Sequence, residues 1–197
     1  MNIRAKHFFT ALAIACAAAA CSQPAEPPPP PAPAQPPPPV PPAPPAPPPA
    51  ATASAALAPT EGNAASGTLT LTAEADGVRI TGSLAGVAPG GTHGFHVHET
   101  GDCSAPDASS AGPHFNPGGH PHGHPGQGEH HAGDMPNLVA DDAGALAVDV
   151  VVPGVTLGDG AETDVLGRAL VLHAKADDYA TQPSGDSGAR IACGVIR

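Results

Sequence analysis

The sequence predicts an all-β domain, a sandwich or barrel with long loops, preceded by two segments that do not belong to it. Three observations predict this. Residues 51–197 contain several short runs in which apolar and polar side chains alternate, the period of a half-buried strand. Loops rich in Gly, Pro, Asp and Ser separate these runs. The 197 residues include 28 Pro and 24 Gly with only 3% aromatics, which excludes a mostly helical protein.

The strands follow in order. Residues 68–73 and 78–81 alternate around Asp76-Gly77 and read as a hairpin. Further extended runs are 94–98, 145–152, 169–173 and 190–196. Between 162 and 180, Val165, Leu166, Ala169 and Leu170 also fit one helical face, but Gly167 and the run Leu170-Val171-Leu172 favour a strand. Many short strands at fairly regular spacing argue a closed or double-layered β fold.

Two zones precede the domain. Residues 1–21 read as a secretory signal, in which Arg4 and Lys6 supply the positive start. The apolar stretch 8–20 that follows is too short to stay in a bilayer as a span. Its end, Ala18-Ala19-Ala20-Cys21-Ser22, resembles a bacterial lipobox, with Ala18 where Leu is commonest. Lipidation of Cys21 is the expectation, and cleavage at an Ala-x-Ala site with release is the alternative. Residues 22–50 hold 18 prolines. Pro fixes φ and donates no backbone hydrogen bond, so this segment reads as a polyproline stalk reaching ~3.1 Å per residue. Export to the periplasm or cell envelope is the expected location.

Charge excludes some partners. Seven Lys+Arg against 18 Asp+Glu leave a formal charge of -11, with few cations to neutralise phosphates. Nucleic acid is excluded, and membrane contact is expected only through the N-terminal anchor. Two cysteines lie in the domain, Cys103 and Cys193. In an exported chain an isolated pair reads as one disulfide. Thiolate metal ligation is disfavoured, because neither Cys has a second Cys or a His two to four residues away.

Eleven histidines in so small a chain point to metal. His96-Val97-His98 lies in an extended run, where residues i and i+2 share a face, so both imidazoles can converge on one ion. From His114 to Asp134 a Gly- and Pro-rich loop adds His120, His122, His124, His130 and His131. His173 ends an apolar strand and, alone, reads equally as a core histidine. Imidazoles with one carboxylate and no thiolate suit zinc and copper(II). Spacing by itself leaves open which loop histidines are ligands.

At these residues a family resemblance emerges. Gly94-Phe95-His96-Val97-His98-Glu99-x-Gly101-Asp102, Gly112-Pro113-His114-Phe115-Asn116-Pro117 and His131-x-Gly133-Asp134 resemble, in order, signatures of copper/zinc superoxide dismutases. The segments from Gly167 to Asp178 and from Gly188 to Ile196 continue the pattern, so the similarity covers essentially all of 51–197. The resemblance implies a flattened eight-stranded Greek-key barrel, of the immunoglobulin-like sandwich class. It implies copper ligands His96, His98, His114 and His173, and zinc ligands His114, His122, His131 and Asp134, with His114 bridging the two ions as an imidazolate. His120, His124 and His130 are then exposed neighbours, and His93 a structural histidine. Asp177 corresponds to a carboxylate joining His96 to His122, Arg190 to the arginine that holds the anionic substrate, and Cys103 with Cys193 to the family's disulfide.

The implied activity is dismutation of superoxide, with His114 and Arg190 as the catalytic side chains. Protection of the envelope follows from an exported location. The chain departs from the family in the loop between Asp177 and Arg190, which is short, lacks Lys and carries Asp186 where Gly or Asn is usual. The surplus histidines also allow an alternative, a non-catalytic copper- and zinc-buffering or delivery lipoprotein on the same fold.

Overall fold

The computed structural model describes Pro27, Pro28 and residues 50–197. The signal segment with Cys21, and the stalk apart from those residues, lie outside the described residues. Nine strands form the domain: β1 (Thr52–Pro59), β2 (Ser66–Glu74), β3 (Gly77–Ala85), β4 (Thr92–His93), β5 (Phe95–His98), β6 (Leu138–Val139), β7 (Ala145–Pro153), β8 (Ala169–His173) and β9 (Arg190–Val195). Only Gly94 separates β4 from β5, so the two are halves of one strand and the count of eight is met.

The strands make one curled, antiparallel seven-stranded sheet in the order β5-β8-β9-β1-β2-β3-β7, and a short ladder β4-β6. The chain leaves β3 to reach the far edge at β5, and β7 reaches β8 by a similar crossover, as a Greek-key barrel requires. Alternation decides which side chains fill the interior. Leu69 and Leu71 of β2, Val78 and Ile80 of β3, and Leu146 and Val148 of β7 are buried in one core with Phe95, Val97, Leu170 and Leu172. The segment between 162 and 180 contains strand β8, as Gly167 and the apolar run foretold.

The predicted hairpin is present, but the turn residues are Ala75 and Asp76, and Gly77 is already the first residue of β3. Gly77 is glycine for another reason: a Cβ there would run into the carbonyl oxygen of Val152 on β7. Strand β1 was not anticipated. Its sequence, Thr-Ala-Ser-Ala-Ala-Leu-Ala-Pro, is rich in alanine and carries little strand propensity. It forms because Ala55 and Leu57 complete the core while its backbone pairs with both β2 and β9. Two-residue strands such as β4 and β6 are too short to show a period.

Both β8 and β9 are covered on their outer face as well. Ala169, Val171 and Cys193 pack there against Ala108 and Ala111 of the loop that follows β5. The Cys103–Cys193 disulfide pins this loop to β9. Every residue of β8 is therefore buried, which explains its unbroken apolar run.

Candidate metal centre

Strand β5 sends Phe95 and Val97 inward and His96 and His98 to the opposite face, the pleat expected of i and i+2. His173 ends β8 at an irregularity in the β8–β9 ladder between Leu172 and His173, where it pairs with Arg190. Such a bulge re-aims a side chain at a strand end. The two residues, neighbours in register, are thereby delivered to one place from adjacent strands. The loop after β5 returns His114 beside His98 through an isolated bridge, and Asp134 beside His96 through another.

Two groups of side chains result. Ligand-capable atoms of His96, His98, His114 and His173 lie within 4.8 Å of one another, and so do those of His114, His122, His131 and Asp134. All seven residues are buried, and His114 belongs to both groups. His120, His124 and His130 join neither.

Hydrogen bonds at the opposite ring atoms leave one bare nitrogen on each histidine of the first group. His98 donates from Nδ1 to the Gly112 carbonyl at 2.8 Å, leaving Nε2 free to accept. His96 uses Nε2 on Asp177 Oδ2 at 2.8 Å, and its buried Nδ1 has no partner. His173 places Nδ1 between Ser187 Oγ at 3.1 Å and the Gly188 carbonyl at 3.3 Å. Its Nε2 lies 3.3 Å from Nε2 of His98, a contact of two lone pairs unless a proton or cation lies between them. His114 directs Nδ1 at Asp134 Oδ1, 2.9 Å away, and its buried Nε2 is unpartnered. In the second group Nδ1 of His122 and Nδ1 of His131 stand 3.0 and 3.4 Å from the Asp134 carboxylate, both without a hydrogen bond. Orphaned buried nitrogens of this kind are costly unless a cation takes them up. The donors therefore fit metal: four nitrogens in one group, and three nitrogens with one carboxylate in the other, suit copper and zinc.

Electrostatics keep the rings of His98, His114 and His173 neutral. At His122, by contrast, burial is outweighed by the Asp134 and Asp177 carboxylates, which push the imidazole up to about 9 and hold a proton there that a cation must displace. Burial pushes His114 down to about 4, against the pull of Asp134, and pushes His173 down to about 3. Burial likewise holds His98 well below the usual imidazole range. Neutral rings are the form that binds metal. Burial alone would raise Asp134, but the His114 hydrogen bond and the His122 and His131 rings facing its carboxylate hold it far below the ordinary carboxylate range. Asp177 is held down in the same way by His122 and His96.

Asp177 spans the two groups, with Oδ2 on His96 Nε2 and Oδ1 on His122 Nε2 at 2.9 Å. Arg190 extends from the start of β9 and donates from Nη1 to the Ala108 carbonyl and from Nη2 to the Gly112 carbonyl, both at 2.6 Å. It lines a cleft of about 670 Å³ together with His98, His114, His131, His173 and Glu99. Both metal-competent groups thus border one opening beside a single fixed guanidinium.

Residues 65–196 match the profile of the copper/zinc superoxide dismutase family. The chain belongs to that family. It is 46% identical over 124 residues to superoxide dismutase [Cu-Zn] 2 of Aquifex aeolicus, covering 61% of this chain and 72% of the relative. It is 43% identical over 124 residues to the superoxide dismutase-like protein YojM of Bacillus subtilis, covering 61% of this chain and 63% of the relative. Among solved structures, a SOD-like protein from Bacillus subtilis superposes with a TM-score of 0.66 at 40% identity, over 72% of this chain and 95% of the other.

The structure of this superoxide dismutase family member adds supporting residues that no pattern in the sequence singled out. Asn137 bonds reciprocally to the backbone of Asp177, at 2.8 Å in each direction. The backbone N–H of Tyr179 donates to the Asp177 carboxylate, and the Tyr179 hydroxyl accepts from the Asn137 N–H. Gln182 accepts from the N–H of His122 and donates to its carbonyl, tying the loop 174–189 to the loop that holds His122. Ser187 is buried against His173. Gly112 serves through its carbonyl, which holds both His98 and Arg190, and a carbonyl has no sequence signature.

Proposed function

We propose that the protein dismutates superoxide, 2 O₂⁻ + 2 H⁺ → O₂ + H₂O₂, with copper in the group of four imidazoles and zinc in the group completed by Asp134. The observation that carries the reading is the converging set of four imidazoles, three of which, His98, His114 and His173, line a cleft that also holds Arg190. Copper held there supplies the one-electron cycling between two superoxides that the reaction needs, while zinc has no redox chemistry and keeps its loop and the shared imidazole in place.

The chain's own residues do the rest. Arg190, held by two carbonyls and pointing into a partly buried cleft, docks an anion where low-dielectric walls strengthen its field. His114 lines the same cleft, and its Nε2 is the atom at which a proton can be stored and handed to the product. Its Nδ1 belongs to the second group, so the imidazolate bridge is part of this proposal. Asp177 keeps the rings of His96 and His122 in register, as an outer carboxylate does for a ligating imidazole.

The location is also proposed: export to the envelope, with Cys21 as lipid anchor and the proline stalk as spacer. The Cys103–Cys193 disulfide supports an oxidising compartment. There the enzyme would remove superoxide, an anion that does not readily cross the inner membrane.

The test is superoxide decay by pulse radiolysis on the protein carrying one copper and one zinc, beside Arg190→Ala. Fast decay, falling about tenfold or more in the variant with both metals retained, is expected. Decay no faster than the solvent background with both metals bound would overturn the dismutase reading.

A further inference from the structure

Three histidines of the loop between β5 and β6 take no part in the two buried groups, and the structure separates them. His124 is half-buried with its ring against Tyr179, centroids 4.5 Å apart, and its Nδ1 bonded to the Pro125 carbonyl. It is packing. His120 and His130, by contrast, line one open groove of about 380 Å³ with Glu129, between this loop and the end of β7.

Both rings are oriented at Nδ1. His120 meets Glu129 Oε1 at 3.2 Å, and His130 donates to the His131 carbonyl at 2.8 Å. A proton held on Nδ1 leaves Nε2 as the lone-pair nitrogen, and neither Nε2 has a hydrogen-bond partner among the described residues. The carboxylate behind His120 fixes the tautomer and orientation of that ring, as outer carboxylates do for metal-ligating histidines. Two unpartnered imidazole nitrogens on residues lining one open groove suit copper(II) ahead of zinc. A chain of net charge -11 also concentrates cations around itself.

We propose that His120 and His130, with Glu129 behind His120, form a third metal site, solvent-exposed and exchangeable, for copper(II). Two protein nitrogens rather than four donors hold the ion, so it is released far more easily than from the buried groups. His130 immediately precedes His131 of the buried zinc-type group, so the site captures ions next to the loop that must be loaded. This site stands independently of whether the buried groups turn over superoxide.

The test is equilibrium dialysis of the full chain against copper(II) after the buried groups have been filled with copper and zinc, with the extra ion counted and its electron paramagnetic resonance recorded. One further, readily exchanged equivalent with nitrogen hyperfine splitting is expected in the parent. It is lost in the double variant His120→Ala/His130→Ala, weakened about tenfold in Glu129→Gln, and unchanged in His124→Ala. Retention of the two buried ions in each variant shows that the fold is intact, and their count reports separately on the buried groups. No further equivalent in the parent, survival of it in the double variant, or its loss in His124→Ala would each overturn the proposal.

Discussion

One carboxylate, Asp177, orients two imidazoles that face different groups. An amide in its place can accept on one side only, so Asp177→Asn should weaken metal retention about 10–100-fold, measured by competition with a chelator, while the sheet stays folded. Asp164 does comparable work far from the metals. Its carboxylate accepts from the N–H groups of Gly158, Gly160 and Leu166 at 2.7–2.8 Å in the crossover between β7 and β8. Burial opposes ionisation, but these backbone bonds outweigh it and hold the group below the usual carboxylate range. A depressed carboxylate contributes stability that is present above its unfolded pKa of about 3.9 and is lost as pH falls through its folded value. Asp164→Asn should therefore cost roughly 1–3 kcal/mol near neutrality by urea unfolding, with the gap to the parent shrinking in acid below about pH 4. A gap independent of pH would contradict this account. At this scale the sequence was legible where chemistry shows in a side chain, as in the ordered histidines, and illegible where a carbonyl acts. Asp186 was visible as a departure from the family pattern, and the structure explains the pattern: its φ is 47°, in the left-handed region that Gly and Asn occupy most readily.

At the scale of elements, the strands that alternate clearly were readable, and those that lean on tertiary context were not. Strands β2, β3, β7 and β8 each carry a sufficient run of branched or leucine side chains, whereas β1 owes its place to neighbours on both edges. The loops were the least legible, because their order comes from single polar contacts. Gln182 is the clearest case, pairing with the backbone of His122 on both sides across 60 residues. Gln182→Ala should loosen the loop 178–187 by roughly 1–2 kcal/mol, about a tenfold rise in amide exchange there, and leave the amides of β2 and β3 unchanged. Equal acceleration across the sheet would mean that Gln182 supports the fold as a whole rather than the loop.

For the whole molecule, the question is how an anion reaches a site on a body of charge -11. Lys175, the lysine nearest the loop after Asp177, stands 3.8 Å from Asp186, and both are largely exposed. Glu99 shares the cleft with Arg190. Long-range attraction is therefore weak, and Arg190 acts at short range. On the proposed dismutase reading, the metal-loaded protein should lose less than about twofold in rate between low and physiological salt, since screening removes long-range terms first. A steep fall in pulse-radiolysis rate with ionic strength would show steering by charges outside the cleft.

The staple between Cys103 and Cys193 fastens to β9 the loop whose Ala108 and Gly112 carbonyls grip Arg190, while none of the seven ligand-capable side chains is itself joined to a sulfur. The Gly112 carbonyl in that loop also holds Nδ1 of His98, so a chain kept reduced should loosen the aim of the arginine and one wall of the nitrogen cage together.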